Sequence, residues 1–240
     1  MLLNATTAIS TSKVLLVPYS KWHVPRYHEW MKDEEIQEAT ASEPLTLEEE
    51  YAMQQSWRND ADKLTFIICL PLSLPLAQED SVNGENPTLA KESDSPTQMI
   101  GDINLFLRID DGEEGTSSPE IIGEIELMIA EKKDQRRGFG KAALLTFLRY
   151  MVGHEREIVD EFLRGESDRD GRVKERKFAA LSVKIGEMNE RSLNLFESVG
   201  FERIRGGPNY FGEWELRRTE LGLEGAGVGG YREVVYEREE

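Results

Sequence analysis

Cysteine is nearly missing from this sequence: Cys69 is the only one among 240 residues. One thiol excludes an internal disulfide framework and a cysteine-based zinc cluster. Histidine is almost as scarce. His23, His28 and His154 are the whole complement, and none has a second histidine at the helical spacing of a zinc protease, so no metal site is expected. Positive charge is in deficit: Lys and Arg total 29 against 46 Asp and Glu, a net charge of −17. That balance argues against non-specific nucleic-acid binding, which needs a cationic surface, and against docking on anionic lipid. It suits a cationic partner or substrate. Long apolar runs are lacking too. None reaches the roughly 18 residues of a transmembrane helix; the best, Phe66 to Ala77, is interrupted by Pro71 and Pro75. The N-terminal MLLNATTAISTSK has neither a basic leader nor a long apolar stretch and reads as a poor signal peptide. The Asn4-Ala5-Thr6 sequon then reads as coincidental, and the expected location is cytoplasm or nucleus.

What is present is enough apolar side chain, 39%, for one large domain or two small ones. Short strands are expected at Lys13–Tyr19, Leu64–Leu70, Met99–Leu107, Ile121–Ile129 and Phe178–Ile185, from their β-branched and leucine-rich runs. Leu64–Leu70 is apolar throughout, hence buried on both faces. Alternation in Ile121–Ile129 puts Glu124 and Glu126 on one face and Ile125, Leu127 and Ile129 on the other. Val24-Pro25 opens one helix, and Thr46-x-x-Glu49 is the capping box of another. Leu144, Phe147, Leu148 and Met151 fall on one face of a third helix, a pattern that continues through Ile158, Val159, Phe162 and Leu163. Ser192–Val199 is a short helix stopped by Gly200. Phe201–Arg205 and Gly212–Arg217 read as a closing antiparallel pair. Leu76–Gln98, rich in polar residues and without period, reads as a disordered surface loop. Arg108–Glu120 is expected as a hairpin loop and Gly165–Lys177 as a solvated loop. Residues 1–218 form the expected domain, with a charged insertion at 153–177. Residues 219–240 form a glycine-rich tail, within which Tyr231–Tyr236 is either an edge strand or disordered.

Chemistry concentrates in Gln135-Arg136-Arg137-Gly138-Phe139-Gly140-Lys141, between a strand and a helix. Glycines there let the backbone turn tightly and approach a ligand. The free N–H groups of the helix start then face an anion. With Lys132 and Lys133 this is the most basic patch of an acidic chain, and a phosphate-bearing ligand is the inference. An ordinary turn with exposed basic residues remains an alternative. The stretch fails as a P-loop, because Gln135 stands where the first glycine belongs and Ala142 where Ser or Thr belongs. Gly138-x-Gly140-x-x-Ala143 matches a dinucleotide fingerprint, but the intervening basic loop and the late next strand do not suit it.

A second stretch narrows the choice. Asn189-x-x-Ser192-x-x-Leu195-Phe196-x-x-x-Gly200-Phe201 resembles a signature of the GNAT acetyltransferase superfamily, and Gln135-x-x-Gly138-x-Gly140 resembles that superfamily's acetyl-CoA loop. Strand, loop, helix, strand and short helix follow in the matching order. KVLLVPY, RYHEWM, TASEPLTLEEEYAMQQSW, DINLFL and IGEIELMIAE are similar to the N-acetyltransferase 9-like family, over most of Lys13–Arg217.

The resemblance implies an α/β fold, a mixed and mostly antiparallel sheet splayed at the acetyl-CoA site and flanked by helices. It implies acetyl-CoA as co-substrate, with Met128, Ile129 and Ala130 along the pantetheine arm. Gln135, Arg136, Arg137, Gly138, Phe139, Gly140 and Lys141 would hold the pyrophosphate, and Asn189 would touch the cofactor. A backbone N–H near Met128 is the expected oxyanion donor. Glu124 and Glu126 are candidate general bases, because carboxylates there can activate an amine through water; an exposed acidic face is their alternative. The usual tyrosine acid aligns with Phe196, which carries no proton, leaving Tyr210 or solvent. Trp30 and Glu43 fall where relatives shape the acceptor site. The implied activity is transfer of acetyl to an amine, a protein N-terminus before a small molecule. A non-catalytic acetyl-CoA-binding protein is the alternative that Phe196 raises. Cys69 reads as a core thiol, His154 as a surface residue and Ser192 as a helix cap.

Overall fold

The computed structural model describes residues 1–72, 89, 91–111, 118–166, 173–222 and 229–237. Among the described residues, nine strands form one sheet: β1 (Thr7–Ser10), β2 (Leu15–Pro18), β3 (Lys63–Cys69), β4 (Met99–Asp110), β5 (Glu120–Ile129), β6 (Phe178–Gly186), β7 (Glu202–Arg203), β8 (Glu213–Arg218) and β9 (Arg232–Val235). Their spatial order is β7-β8-β6-β5-β4-β3-β2-β1-β9. Every neighbouring pair is antiparallel except β5 and β6. A parallel pair needs a crossover, supplied by α4 (Phe139–Gly153) and α5 (Glu155–Gly165). The other helices are α1 (Val24–Trp30), α2 (Glu34–Ala39), α3 (Leu47–Asn59) and α6 (Glu190–Glu197).

The two-residue period of the strands sorts the core onto two faces. Leu16, Leu64, Phe66, Ile68, Ile103, Leu105 and Ile125 pack with Leu144, Phe147, Leu148 and Met151 of α4 and Ile158, Val159, Phe162 and Leu163 of α5. Leu15, Val17, Ile67 and Cys69 face the other way, against Val24, Tyr27 and Trp30 of α1. On this second face the sheet turns polar where it meets β4 and β5, at Thr65, Asp102, Asn104, Glu124 and Glu126. α3 begins at the capping box read from the sequence: Thr46 Oγ1 accepts from the Glu49 N–H at 3.3 Å, and a Glu49 carboxylate oxygen accepts from the Thr46 N–H at 2.8 Å.

Two expectations are corrected, and one alternative is decided. The first strand is preceded by β1, which hairpins onto β2 through Ile9↔Leu16. Within Tyr231–Tyr236 the edge-strand alternative holds: β9 pairs with β1 and completes the sheet edge, and Tyr236 is buried. The end of the expected disordered loop is ordered. Leu89 is buried, and Lys91–Asp94 forms a 3-10 turn. There one Asp94 carboxylate oxygen accepts from His23 Nε2 at 3.1 Å, Trp22 Nε1 at 3.3 Å and Tyr236 Oη at 2.7 Å. Residues 76–88 and 90 lie outside the described residues, as do 112–117, 167–172 and 223–228 of the other expected loops and tail. His154, expected at the surface, lies between α4 and α5. Its Nε2 meets a Glu233 carboxylate oxygen of β9 at 3.0 Å, and its ring lies 4.4 Å from that of Tyr150.

Candidate active site

The parallel pairing of β5 and β6 runs only from Ile121↔Phe178 to Glu124↔Ser182, with a bulge between Ile121 and Ile122. Both strands continue for several residues, so they diverge into a split whose one wall is the unpaired edge of Glu126–Ile129. At the mouth of the split stands the glycine loop. Arg136 and Gly138 both have left-handed backbones, φ 60° and 81°, and Gly138 is the cap that starts α4. No cap side chain answers the helix start. Among the described residues, the backbone N–H groups of Gly138 through Lys141 make no hydrogen bond; the first α4 bond is the Ala142 N–H to the Gly138 carbonyl, at 3.1 Å. Four unpaired donors at a helix N-terminus are the chemistry that holds a phosphate, and the loop therefore fits a pyrophosphate. A Cβ on Gly140 would stand 3.6 Å from Leu195 Cδ2 and 3.8 Å from Ile129 Cγ1 and Leu127 Cδ2. The loop is thus packed directly under the open edge of β5.

The remaining expected cofactor residues divide. Gln135 Nε2 donates to the Ile129 carbonyl at 2.9 Å, so this side chain anchors the strand edge. Arg137 pairs with buried Asp134 at 2.5 Å, and Phe139 is buried with Lys13 Nζ 4.9 Å above its ring. Lys141 Nζ reaches Ser198 Oγ at 3.0 Å. Ala130 is buried and its N–H donates to the Ile100 carbonyl at 2.9 Å. Asn189 caps α6, its Oδ1 accepting from the Ser192 N–H at 3.2 Å. Ser192 is thus the capped residue, and not the cap.

Register shows which backbone N–H groups near Met128 face the split. N–H groups alternate in direction along a strand. Met128 pairs with Asp102, and Ala130, two residues on, donates toward β4. The Met128 N–H therefore points to β4, and those of Leu127 and Ile129 point into the split. Close approach at Gly101 agrees: a Cβ there would sit 1.9 Å from the Met128 carbonyl oxygen. Met128 contributes its side chain to the cleft.

The split opens into a cleft of ≈ 1410 Å³ lined by β4, β5 and β6, the 38–42 turn and the start of α6. Its lining carries Glu35, Glu38, Asp102, Glu124, Glu126, Glu187, Glu190 and Glu213 against only Lys184 and Arg191. Glu124 accepts from Lys184 Nζ at 2.9 Å. Glu126 opens onto the cleft with no hydrogen-bond or ion-pair partner among the described residues. Glu126 is exposed to the open cleft, but the surrounding walls partly desolvate its carboxyl, and Asp102 and Glu124 add like charge. Together these push it up to about 7, against a smaller opposing pull from Lys184. Of the two carboxylates, Glu124 is tied to Lys184 and Glu126 is the one whose proton affinity is raised. Sequence reasoning passed over Asp102 and Asn104, which share this face. Their signal was available: Asp-x-Asn in one strand faces Glu-x-Glu in its antiparallel partner.

Phe196 is buried against Phe201, ring centroids 5.1 Å apart, and lines the cleft. Tyr210 is 96% exposed and outside the lining, although Phe211 is part of it. Trp30 lies below, its Nε1 donating to Glu131 at 2.7 Å, and neither it nor Glu43 reaches the lining. Cys69 is fully buried, and burial raises its thiol far above the ordinary range.

The family model described as acetyltransferase (GNAT) domain matches residues 13–202. The N-acetyltransferase 9-like protein of Schizosaccharomyces pombe is 37% identical over 91% of this chain and 100% of its own length. Human alpha/beta-tubulin-N-acetyltransferase 9 is 40% identical over 91% of this chain and 86% of its own. Solved structures share the fold. The acetyltransferase (GNAT family) from Bacillus anthracis has a TM-score of 0.55 at 14% identity, covering 90% of this chain and 99% of its own. Spermidine N-acetyltransferase from Vibrio cholerae, in complex with CoA and spermine, has a TM-score of 0.52 at 14% identity, covering 86% and 94%. No described helix is long and apolar enough to cross a membrane. With this fold, this loop and relatives named N-acetyltransferases, the chain belongs to the GNAT acetyltransferases, and within them to the N-acetyltransferase 9-like family.

Proposed function

We propose that this N-acetyltransferase uses acetyl-CoA and acetylates the α-amine of a protein N-terminus. The observation that carries the reading is the split itself: an anion-binding loop stands at its mouth, and a carboxylate with a midpoint near neutrality lies along its wall. The loop N–H groups from Gly138 to Lys141 bind the pyrophosphate. The Leu127 and Ile129 N–H groups face the thioester carbonyl and stabilise negative charge as it develops on oxygen. Glu126 takes a proton from the acceptor, directly or through one water. The amine nitrogen then attacks the acetyl carbon, the carbon–sulfur bond breaks, and solvent protonates the departing thiolate, since neither Phe196 nor Tyr210 offers a hydroxyl in the cleft.

Proton matching favours an α-amine. Its pKa, near 8, lies about one unit above Glu126, whereas a lysine near 10.4 lies more than three units above, a difference of about 3 kcal/mol. A named relative acts on tubulin, which makes a protein acceptor the first choice. The open cleft is also larger than the roughly 300–1,000 Å³ of a small-ligand pocket. Its acidic lining suits a cationic acceptor, and leaves a polyamine as the second reading. The test follows free CoA release with peptides copying the N-termini of α- and β-tubulin, and with spermine. The Gly138→Asp/Gly140→Asp double variant is the control, because carboxylates there repel the pyrophosphate. Release stimulated by peptide and lost in the variant is the expected result. Stimulation by spermine alone shifts the acceptor to polyamines, and failure to bind acetyl-CoA refutes the reading.

A further inference from the structure

Beneath Met128, β4 carries two buried polar side chains whose needs the fold itself does not meet. Asp102 is 3% exposed and Asn104 4%. Tyr27 Oη and Asn104 Nδ2 donate to one Asp102 carboxylate oxygen, at 3.3 and 2.9 Å. Both donors are neutral, and among the described residues no Lys, Arg or His pairs with Asp102. A buried carboxylate without a cation is costly, and burial pushes this one up to about 6. Asn104 Oδ1 is buried and has no partner, which protein interiors rarely tolerate. Register places Asn104 opposite Glu126 and Asp102 opposite Met128, so the three oxygen-bearing side chains share one face, and all line the cleft. On β4 and β5 the unmet atoms of this face are acceptors, with one unpartnered hydroxyl, Thr65 Oγ1, opposite Asn104 on β3. The matching ligand chemistry is a positive group with several N–H bonds.

We propose that Asp102, Asn104 and Glu126 form a seat for the acceptor's ammonium group. The proposal rests on the acetyltransferase reading above and adds the protonation state in which the amine arrives. The acceptor docks as R–NH3⁺, with hydrogen bonds to Asn104 Oδ1 and the two carboxylates. One proton passes to Glu126, leaving R–NH2 and a neutral carboxyl. The nitrogen pair then forms the new bond to the acetyl carbon as the bond to sulfur breaks. The second nitrogen proton leaves to solvent, which supplies the thiolate's proton. The charged and titratable groups facing the seat are Tyr27 of α1, with Tyr19 after β2 and Glu50 of α3 behind it, Glu124 of β5 and Lys184 of β6. Lys184 is committed to Glu124. Asp102 and Asn104 are thus positioning residues for the ammonium, and Glu126 receives its proton.

The test compares wild type with Asp102→Asn and Asn104→Leu, with CoA bound. Two probe pairs are used: a tubulin N-terminal heptapeptide against its des-amino analogue, and n-butylamine against n-butanol. Carboxyl ¹³C signals, with that of Glu126 identified by its loss in Glu126→Gln, report both binding and titration. Acetyl-CoA affinity and melting temperature report the fold. Wild type is expected to prefer each amine at least tenfold over its uncharged partner. Either substitution should reduce that preference to within threefold and leave acetyl-CoA affinity unchanged, and Asp102→Asn should lower the Glu126 midpoint. If Asp102→Asn does not fold, Asn104→Leu decides by the preference alone. Preserved preference in the folded variants overturns the seat, even where peptide turnover upholds the enzyme reading. If no peptide is turned over, the acceptor reading fails, and the seat is judged on n-butylamine. A Glu126 signal that moves with the amine in wild type but not in the variants supports it, and one that does not move overturns it.

Discussion

Replacing Asp102 by Asn should stabilise the protein above neutral pH and do so progressively less as pH falls. Asp102 is 3% exposed, and its carboxyl is raised from 3.8 to about 6, chiefly by burial and against the pull of Asn104 and Tyr27. A raised midpoint means that the native state holds this proton more tightly than the unfolded chain does. Below about pH 3.8 the group is neutral in both states and costs nothing. The penalty grows between about pH 3.8 and 6 and is complete above. A shift of about two units corresponds to about 3 kcal/mol at pH 8, and to less than about 1 kcal/mol at pH 4. The Asn amide removes that charge penalty. It also weakens the hydrogen bonds from Tyr27 and Asn104, at a cost of about 1 kcal/mol, although its new N–H groups can meet Asn104 Oδ1, which is unpartnered. The net expectation is about 2 kcal/mol of stabilisation at pH 8, or about 4–8 °C in Tm for a domain of this size, shrinking to nothing or changing sign at pH 4. Urea titrations of both proteins at pH 4, 6 and 8 measure it. A variant less stable than wild type at pH 8, or a difference independent of pH, refutes the reasoning. A stabilising change at a cleft residue is what a site that gives up stability for function would show.

Glu126→Gln should reduce kcat about 10²–10⁴-fold and flatten its pH dependence. In wild type the rate should fall as pH drops below the midpoint of about 7, and a variant retaining that limb would exclude Glu126 as the base. Gly138→Ala and Gly140→Ala should behave differently in acetyl-CoA titration calorimetry. Gly138 has φ 81°, so a side chain strains the loop by about 1–2 kcal/mol and weakens binding, whereas a Cβ on Gly140 meets its neighbours at ordinary contact distance and should bind normally. Asp94→Ala should destabilise by about 3–5 kcal/mol in urea, because buried donors from Trp22, His23 and Tyr236 converge on that carboxylate. A loss under 1 kcal/mol would show that the C-terminal strand is held without it.

Much of the fold was legible because local chemistry and tertiary demand agree. Thr46 and Glu49 announce α3, and its cap is made as written. Leu64–Leu70 reads as a strand buried on both faces because it is central in the sheet. The turn at Gly138 is legible for the same reason: no residue with a Cβ enters a left-handed conformation there cheaply. The misses are segments whose order comes from distant partners. Thr7–Ser10 is too short and mixed to declare a strand, and it exists because β2 and β9 flank it. Lys91–Asp94 is polar enough to read as disorder. What fixes it is one carboxylate aimed at Trp22, His23 and Tyr236, from two other parts of the chain.

The site shows the same division at finer scale. Spacing located the glycine loop and the Glu124/Glu126 face, since both depend on periodicity within one element. Direction across the sheet is a different quantity, set by which residues of β4 stand opposite which residues of β5. That register turns the Met128 N–H away from the split and leaves those of Leu127 and Ile129 facing it, which is why the proposed oxyanion donors are these two. The Gln135 side chain, by contrast, is placed by a contact that spacing does not show, its Nε2 donating to the Ile129 carbonyl. Asp102 and Asn104 follow the logic of register. In the single strand DINLFL they are two polar residues on an otherwise apolar segment. Opposite Met128 and Glu126 they become the polar floor of the cleft, and the charge of Asp102 adds to the burial that raises the Glu126 carboxyl.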